Sequence, residues 1–286
     1  MPNDRPTHAM TFDVEDWFHL VGTRILDQRD RWDTLESVTV QHTQWVLDTL
    51  DRHETRATFF VLGWIADKYP ALVREIAQRG HELATHSYWH RAVYTMSPDA
   101  FRDDLERSIE AVARAGGGAA IRGFRAPAFS IKPGCEWAFD SMLDAGLCYD
   151  ASLFPAPRAH GGYACPPGPH DITTPRGRTL HELPMSTMSV MGKRLAFSGG
   201  GFLRVLPWAL IRRGMAQCEA RGVPAVVYLH PWDFAVDCPV PEMGRWHHFK
   251  CYHGRSGAAG KLERLLSGWR WDTCANVLGL PASGPV

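Results

Sequence analysis

The chain of 286 residues has no excess of either charge: Lys and Arg together number 31, Asp and Glu together number 31, and the formal net charge is zero. That balance excludes the electrostatic footprint of bulk binding to nucleic acid or anionic lipid and suits an uncharged substrate. Long hydrophobic runs are absent as well. The longest, such as Phe59-Phe60-Val61-Leu62-Gly63-Trp64-Ile65-Ala66, are too short and broken to span a bilayer, so no transmembrane segment is expected. The opening residues Met1-Pro2-Asn3-Asp4-Arg5-Pro6-Thr7-His8 have no apolar stretch of the secretory type, which predicts no signal segment. The cysteines number 7, are scattered, and include no C-x-x-C pair. Reduced thiols that neither pair nor bind metal, in a cytoplasmic protein, are the expectation. Internal repeats and low-complexity segments are also missing.

What is present is an alternation of short β-branched runs with amphipathic stretches. Met10-Thr11-Phe12, Arg56 to Leu62, the run ending at His86, Ile121 to Phe124 and Pro224 to Leu229 read as strands. Residues 34–52, 70–78, 98–115, 136–145 and 207–221 read as helices. Ser97-Pro98 starts one of them with a hydroxyl cap and a proline at the first helical position. Gly199-Gly200-Gly201 reads as a tight turn, and a further helix runs through Leu262, Leu265 and Leu266. Such alternation predicts an α/β fold with a parallel sheet, whose ligand sites gather at the carboxyl ends of the strands. The stretch 155–178, rich in proline, glycine and histidine, reads as a substrate-facing loop.

The strand ends carry the chemistry. His86-Ser87-Tyr88-Trp89-His90 spaces two imidazoles four apart, which on a helical turn would face one cation, and such sites are usually completed by a carboxylate. Asp13-Val14-Glu15-Asp16 crowds three acids into four residues, a repulsion that a cation or an arginine relieves. Arg125 and His230 each follow a strand. Singly, each of these residues fits an ordinary packing or surface role; their combination favours a functional centre.

Thr11-Phe12-Asp13, His86-x-x-x-His90, Arg125-x-Pro127 and Leu229-His230, in this order, resemble the motifs of the polysaccharide deacetylase family, the NodB-homology or carbohydrate esterase family 4 proteins. The likeness runs from about residue 9 to 235. Asp13-Val14-Glu15-Asp16-Trp17-Phe18-His19 and Tyr228-Leu229-His230-Pro231-Trp232-Asp233 most resemble the deacetylases associated with bacterial exopolysaccharide and exosortase loci. The resemblance implies a distorted (β/α) barrel in residues 1–235, with a C-terminal extension, 236–286, packed on it. It implies a divalent metal, Zn²⁺ by preference, held by His86, His90 and a carboxylate. Where the family commonly has a second aspartate after the base, this chain has Val14, which leaves Glu15, with Asp16 in reserve, as that carboxylate. It further implies Asp13 as catalytic base, Arg125 as its orienting partner and His230 as general acid. Ala128 replaces the aromatic that commonly follows the arginine motif's proline, and its backbone N–H is a candidate oxyanion donor. The implied reaction is removal of N-acetyl groups from sugars of a polysaccharide or oligosaccharide. A carbohydrate-binding pseudoenzyme and an amidohydrolase of small cyclic amides are the rival functions.

Overall fold

The computed structural model describes residues 5–156 and 161–281. The first four residues, part of the stretch read for a signal segment, and residues 157–160 of the proline- and glycine-rich stretch lie outside the described residues. In chain order the elements are β1 (His8–Val14), α1 (Thr39–Arg52), β2 (Thr58–Val61), α2 (Gly63–Lys68), α3 (Pro70–Gln78), β3 (Glu82–Thr85), α4 (Pro98–Ala115), β4 (Gly123–Phe124), α5 (Trp137–Asp144) and β5 (Tyr149–Asp150). There follow β6 (His170–Thr173), β7 (Thr179–Glu182), β8 (Thr187–Val190), β9 (Lys193–Ala196), α6 (Gly200–Val205), α7 (Trp208–Ala220) and β10 (Val226–Leu229). The tail adds α8 (Arg245–Tyr252), α9 (Ala258–Gly268), β11 (Trp271–Asp272) and α10 (Cys274–Val277).

The main sheet has the order β10-β1-β2-β3-β4-β5-β7-β6, with β11 also paired to β1. Every pairing is parallel except β6 with β7. The sheet curls into a half-barrel, so the α/β barrel class read from the sequence is the observed one. Strand β1, bonded to β10, β2 and β11, is buried along its whole length, the condition that makes a parallel strand a near-continuous apolar run. Phe12 and Phe59 stack on neighbouring strands with ring centroids 5.2 Å apart. The faces of α1, α3 and α4 supply the covering layer through Val46, Leu47, Leu50, Leu72, Val73, Ile76, Leu105 and Val112. Ser97 caps α4 by accepting from Ala100 N–H, as its sequence predicts.

Two segments depart from the sequence reading. The stretch 155–178 is not one loop, because β6 inside it folds back antiparallel on β7 as a sheet-edge hairpin. The glycine run at 199–201 does not merely turn: Gly200 opens α6, so a short helix precedes α7. Because β1, β3, β4 and β10 run the same way, Asp13, His86, Arg125 and His230 all reach one rim.

Beneath that rim, Asp150 and Glu182 lie opposite each other on β5 and β7, both fully buried. Burial pushes both carboxyls up, and in Glu182 the neighbouring Asp150 adds to the rise. Ser152 Oγ donates to Asp150 Oδ1 at 2.5 Å and accepts from Ala126 N–H at 2.7 Å, so the pair underpins the segment after β4. A carboxyl raised in the folded state stabilises at low pH and loses that contribution as pH rises through its folded pKa, about 6 for Asp150. Urea unfolding between pH 5 and 8 should therefore show the wild type losing more stability with rising pH than Glu182→Gln, which removes the second charge; parallel curves would exclude the pair as the source.

Candidate active site

The centre is assembled from four strand ends. At the end of β1, Asp13 accepts from Arg125 Nη1 at 2.6 Å, and both residues are buried. Arg125 also donates to Thr11 Oγ1 at 2.8 Å and to the carbonyl of Ala151 at 3.2 Å, and its guanidinium lies 4.0 Å from the centre of the Phe60 ring. The arginine is thus fixed by two side chains, a carbonyl and a ring face.

His86 follows β3 directly. Its Nδ1 donates to the carbonyl of Arg125 at 2.7 Å, which places the lone pair on Nε2. Burial holds its pKa well below the ordinary histidine value, with the neighbouring His90 adding to the effect, so the ring is neutral, the form that ligates metal. His90 Nε2 stands 3.2 Å from His86 Nε2. The two rings do not converge through a helical turn: the segment between β3 and α4 is a loop in which Ser87 (φ 66°) and His90 (φ 55°) adopt left-handed conformations. The N–H groups of Tyr88 and Trp89 donate to Asp104 at 2.7 and 3.1 Å and pin that loop to α4.

Glu15 is the acid that faces the two imidazoles. Its Oε2 pairs with His90 Nε2 and lies 3.9 Å from His86 Nε2, and Trp232 Nε1 donates to its Oε1 at 3.3 Å. One ligand atom from each of Glu15, His86 and His90 falls within 4.8 Å of the others, the one such group of three among the described residues. Asp16, the alternative, is turned elsewhere. Its carboxylate accepts from Trp17 N–H, Val38 N–H and Ser37 Oγ–H, capping the short helix that starts at Trp17, and it does not join Glu15, His86 and His90 in that group. Two imidazole nitrogens and a carboxylate oxygen this close together fit a divalent cation.

His230 follows β10. Its Nδ1 and N–H both meet Asp233 Oδ2 at 2.9 Å, and its Nε2 is 3.6 Å from Glu15 Oε1. The ring stacks on Trp232 at 4.7 Å and 18°. Burial opposes a charge on His230, but Asp233, its hydrogen bond and Glu15 outweigh that cost and raise the pKa.

These groups open into a cavity of about 600 Å³ lined by Asp13, Glu15, His86, His90 and His230. Its outer wall is a finding the sequence reading missed. Phe202, Val205 and Leu206 come from α6 and the turn after it, and Trp246, His247, Phe249 and Lys250 come from α8 in the tail. None of the described residues in 155–178 lines it, so the tail occupies the place expected of that loop. The sequence signal for α8 was the exposed aromatic and basic cluster Arg245-Trp246-His247-His248, which carries no motif.

Residues 2–137 match the family described as "Polysaccharide deacetylase", and residues 151–279 match a domain of unknown function (DUF3473). Residues 2–137 thus carry the likeness to a polysaccharide deacetylase domain. A peptidoglycan-N-acetylglucosamine deacetylase of Bacillus cereus is 35% identical over 78 residues, 27% of this chain and 28% of its own length. A chitooligosaccharide deacetylase of Rhizobium leguminosarum bv. trifolii is 33% identical over 90 residues, 31% of this chain and 42% of its own. The chain therefore spans well under half the length of these relatives. Among solved structures, a Mycobacterium smegmatis protein assigned to the polysaccharide deacetylases superposes with a TM-score of 0.65 at 23% identity, covering 98% of this chain and 91% of that one. A peptidoglycan N-acetylglucosamine deacetylase superposes with a TM-score of 0.52 at 18% identity, covering 99% and 92%. These two likenesses establish the shared fold.

The three-ligand geometry makes a sharp expectation about metal content. Folded His86→Ala, His90→Ala and Glu15→Ala proteins should each bind metal at least about tenfold more weakly, whereas Asp16→Asn should keep the wild-type stoichiometry. Elemental analysis after dialysis reads the difference, and full metal in Glu15→Ala would remove Glu15 from the site.

Proposed function

We propose that this chain hydrolyses the N-acetyl group of N-acetylated sugars in a bacterial exopolysaccharide or its precursor, with Zn²⁺ as the bound metal and the cytoplasm as its site of action. The observation that carries this reading is the meeting, in one cavity, of the Asp13–Arg125 pair, the Glu15–His86–His90 cluster and the His230–Asp233 pair. The deacetylase domain and the N-acetyl sugars in the names of its relatives supply the substrate class. The cytoplasmic assignment rests on the seven cysteines, all free, of which four are buried.

Glu15, His86 and His90 would hold a divalent cation, which would supply Lewis acidity and lower the pKa of a water. Asp13 would accept the proton of the attacking water, with Arg125 fixing the carboxylate's direction. Ala128, in a left-handed conformation at φ 53° and on the cavity wall, offers its N–H to the developing oxyanion. His230, with Nδ1 tied to Asp233, presents Nε2 to the cavity and gives its proton to the departing amine. The raised pKa of His230 keeps more of it in the donating form near neutral pH.

The rival reading, a carbohydrate-binding pseudoenzyme, drew on Val14 at the usual position of a second aspartate. Fold alone does not decide against it, since a family 4 pseudoenzyme from Bacillus anthracis superposes with a TM-score of 0.50 at 15% identity. Against it, Val14 is a core residue and Glu15 brings the carboxylate that Val14 lacks. His230→Ala should lower kcat/KM on N-acetyl chitooligosaccharides by about 10²–10⁴-fold. Its loss on 4-nitrophenyl acetate should be far smaller, because that phenolate leaves without a proton. Metal binding with no hydrolysis of either substrate by the wild type would favour the pseudoenzyme.

A further inference from the structure

Arg204 is buried and belongs to none of the motifs that the sequence offered. It sits in α6 between two parts of the molecule. On one side its Nε lies 2.8 Å from Asp233 Oδ1, in ion-pair contact without the alignment of a directed hydrogen bond. The other oxygen of the same carboxylate, Oδ2, holds His230. On the other side the guanidinium donates to the carbonyls of Lys250 at 2.8 Å and Cys251 at 2.5 Å, in the last turn of α8. A helix leaves its final carbonyls without intrahelical partners, and a cationic side chain is a favourable cap for them. One guanidinium therefore caps the tail helix and neutralises the carboxylate that holds the imidazole. Packing along this line is tight. A Cβ on Gly201 would come 2.6 Å from the Lys250 carbonyl oxygen, and one on Gly254 would come 2.6 Å from that of Arg204.

We propose that Arg204 is a positioning residue for His230, and that it makes the orientation of this imidazole depend on the docking of the C-terminal helix α8. The inference rests on the reading of His230 as general acid. Asp233 in contact with both Arg204 and His230 has its two oxygens assigned, one to each, so its plane is set by two partners rather than one. Removing the Arg204 contact frees the carboxylate to turn, and the imidazole that it holds turns with it. Since α8 also supplies Trp246 and Phe249 to the cavity wall, the wall and the proton donor form one mechanical unit. A purely structural clamp would behave differently: its loss would lower every reaction together, whatever the leaving group.

The test compares Arg204→Lys, Gly201→Ala and His230→Ala with wild type, all loaded with zinc. Arg204→Lys keeps a positive charge beside Asp233 and so avoids an uncompensated buried carboxylate. Gly201→Ala keeps both members of the ion pair and presses on the Lys250 carbonyl, with Arg204 Nη2 in ordinary contact at 3.5 Å. We expect Arg204→Lys to lose about tenfold in kcat on N-acetyl chitooligosaccharides and to stay within about twofold on 4-nitrophenyl acetate, with Gly201→Ala shifted the same way by a smaller factor. In ¹⁵N-histidine-labelled protein, the Nδ1–H resonance that disappears in His230→Ala should move in both other variants. Equal losses on the amide and the ester, or an unmoved His230 resonance, would overturn the role of Arg204. Should His230→Ala itself fail to separate amide from ester, the general-acid reading falls, and the resonance alone then decides whether Arg204 and α8 position that ring.

Discussion

A fully buried guanidinium is costly, and in this fold the partners that compensate Arg125 are the parts of the reaction centre. Taking such a charge out of water costs several kcal/mol unless ion pairing and hydrogen bonds replace its hydration. Here the replacement comes from Asp13, Thr11 Oγ1, the Ala151 carbonyl and the face of Phe60. The same residue's backbone carbonyl accepts from His86 Nδ1. One residue thus sets the direction of the proposed base and the tautomer of a proposed ligand, and a shift of β4 against β1 would disturb both at once. The parallel sheet resists such a shift because β1, β2, β3 and β4 are paired edge to edge.

The acid side is built by the opposite strategy. His230 is not locked by strand pairing but by contacts made after β10 ends, through Asp233 and Trp232 in the short helix that follows. Those residues are held in turn by elements far along the chain: α6 through Arg204, and the segment after α8 through Arg255, whose guanidinium lies 4.9 Å from the Trp232 ring centre. A proposed base fixed by the sheet and a proposed acid fixed by the tail divide the site between the two matched segments of the chain. The tail is also tied to the sheet, since β11 pairs in parallel with β1.

Elements with strong local signals were legible. Helix α3 has the predicted bounds, and α4 is capped by Ser97 as its Ser-Pro start predicts, because proline, a capping hydroxyl and glycine act within a few residues of where they sit. The residues brought together at the rim were legible too, since parallel strands collect whatever follows their carboxyl ends. What sequence periodicity missed depends on distant partners. The loop holding His86 and His90 takes its shape from Asp104 on α4, and an i, i+4 spacing carries no sign of left-handed residues between. Likewise, α8 buries no residue of its own and shows no apolar stripe, so nothing in its periodicity marks it as a cavity wall.

The choice between the two neighbouring acids follows from strand geometry rather than from charge. Side chains alternate across a strand, so residues two apart face the same side. From Asp13, that rule sends Val14 into the core and returns Glu15 to the cavity, where both acids are found. Asp16 is the next residue out of phase, and the chain there turns into the short helix whose first amide its carboxylate caps. β1 ends at Val14, where the Glu15 N–H turns back onto the Asp13 carbonyl at 3.1 Å, and the residue two positions after Asp13 still faces the cavity. A ligand directly after the base needs that residue to face the cavity, and valine at that place, fully buried among apolar neighbours, is compatible only with the first arrangement. The departure from the common family pattern at Val14 and the presence of Glu15 are then a single feature: the carboxylate stands one residue later, two from Asp13, and faces the cavity with the imidazoles.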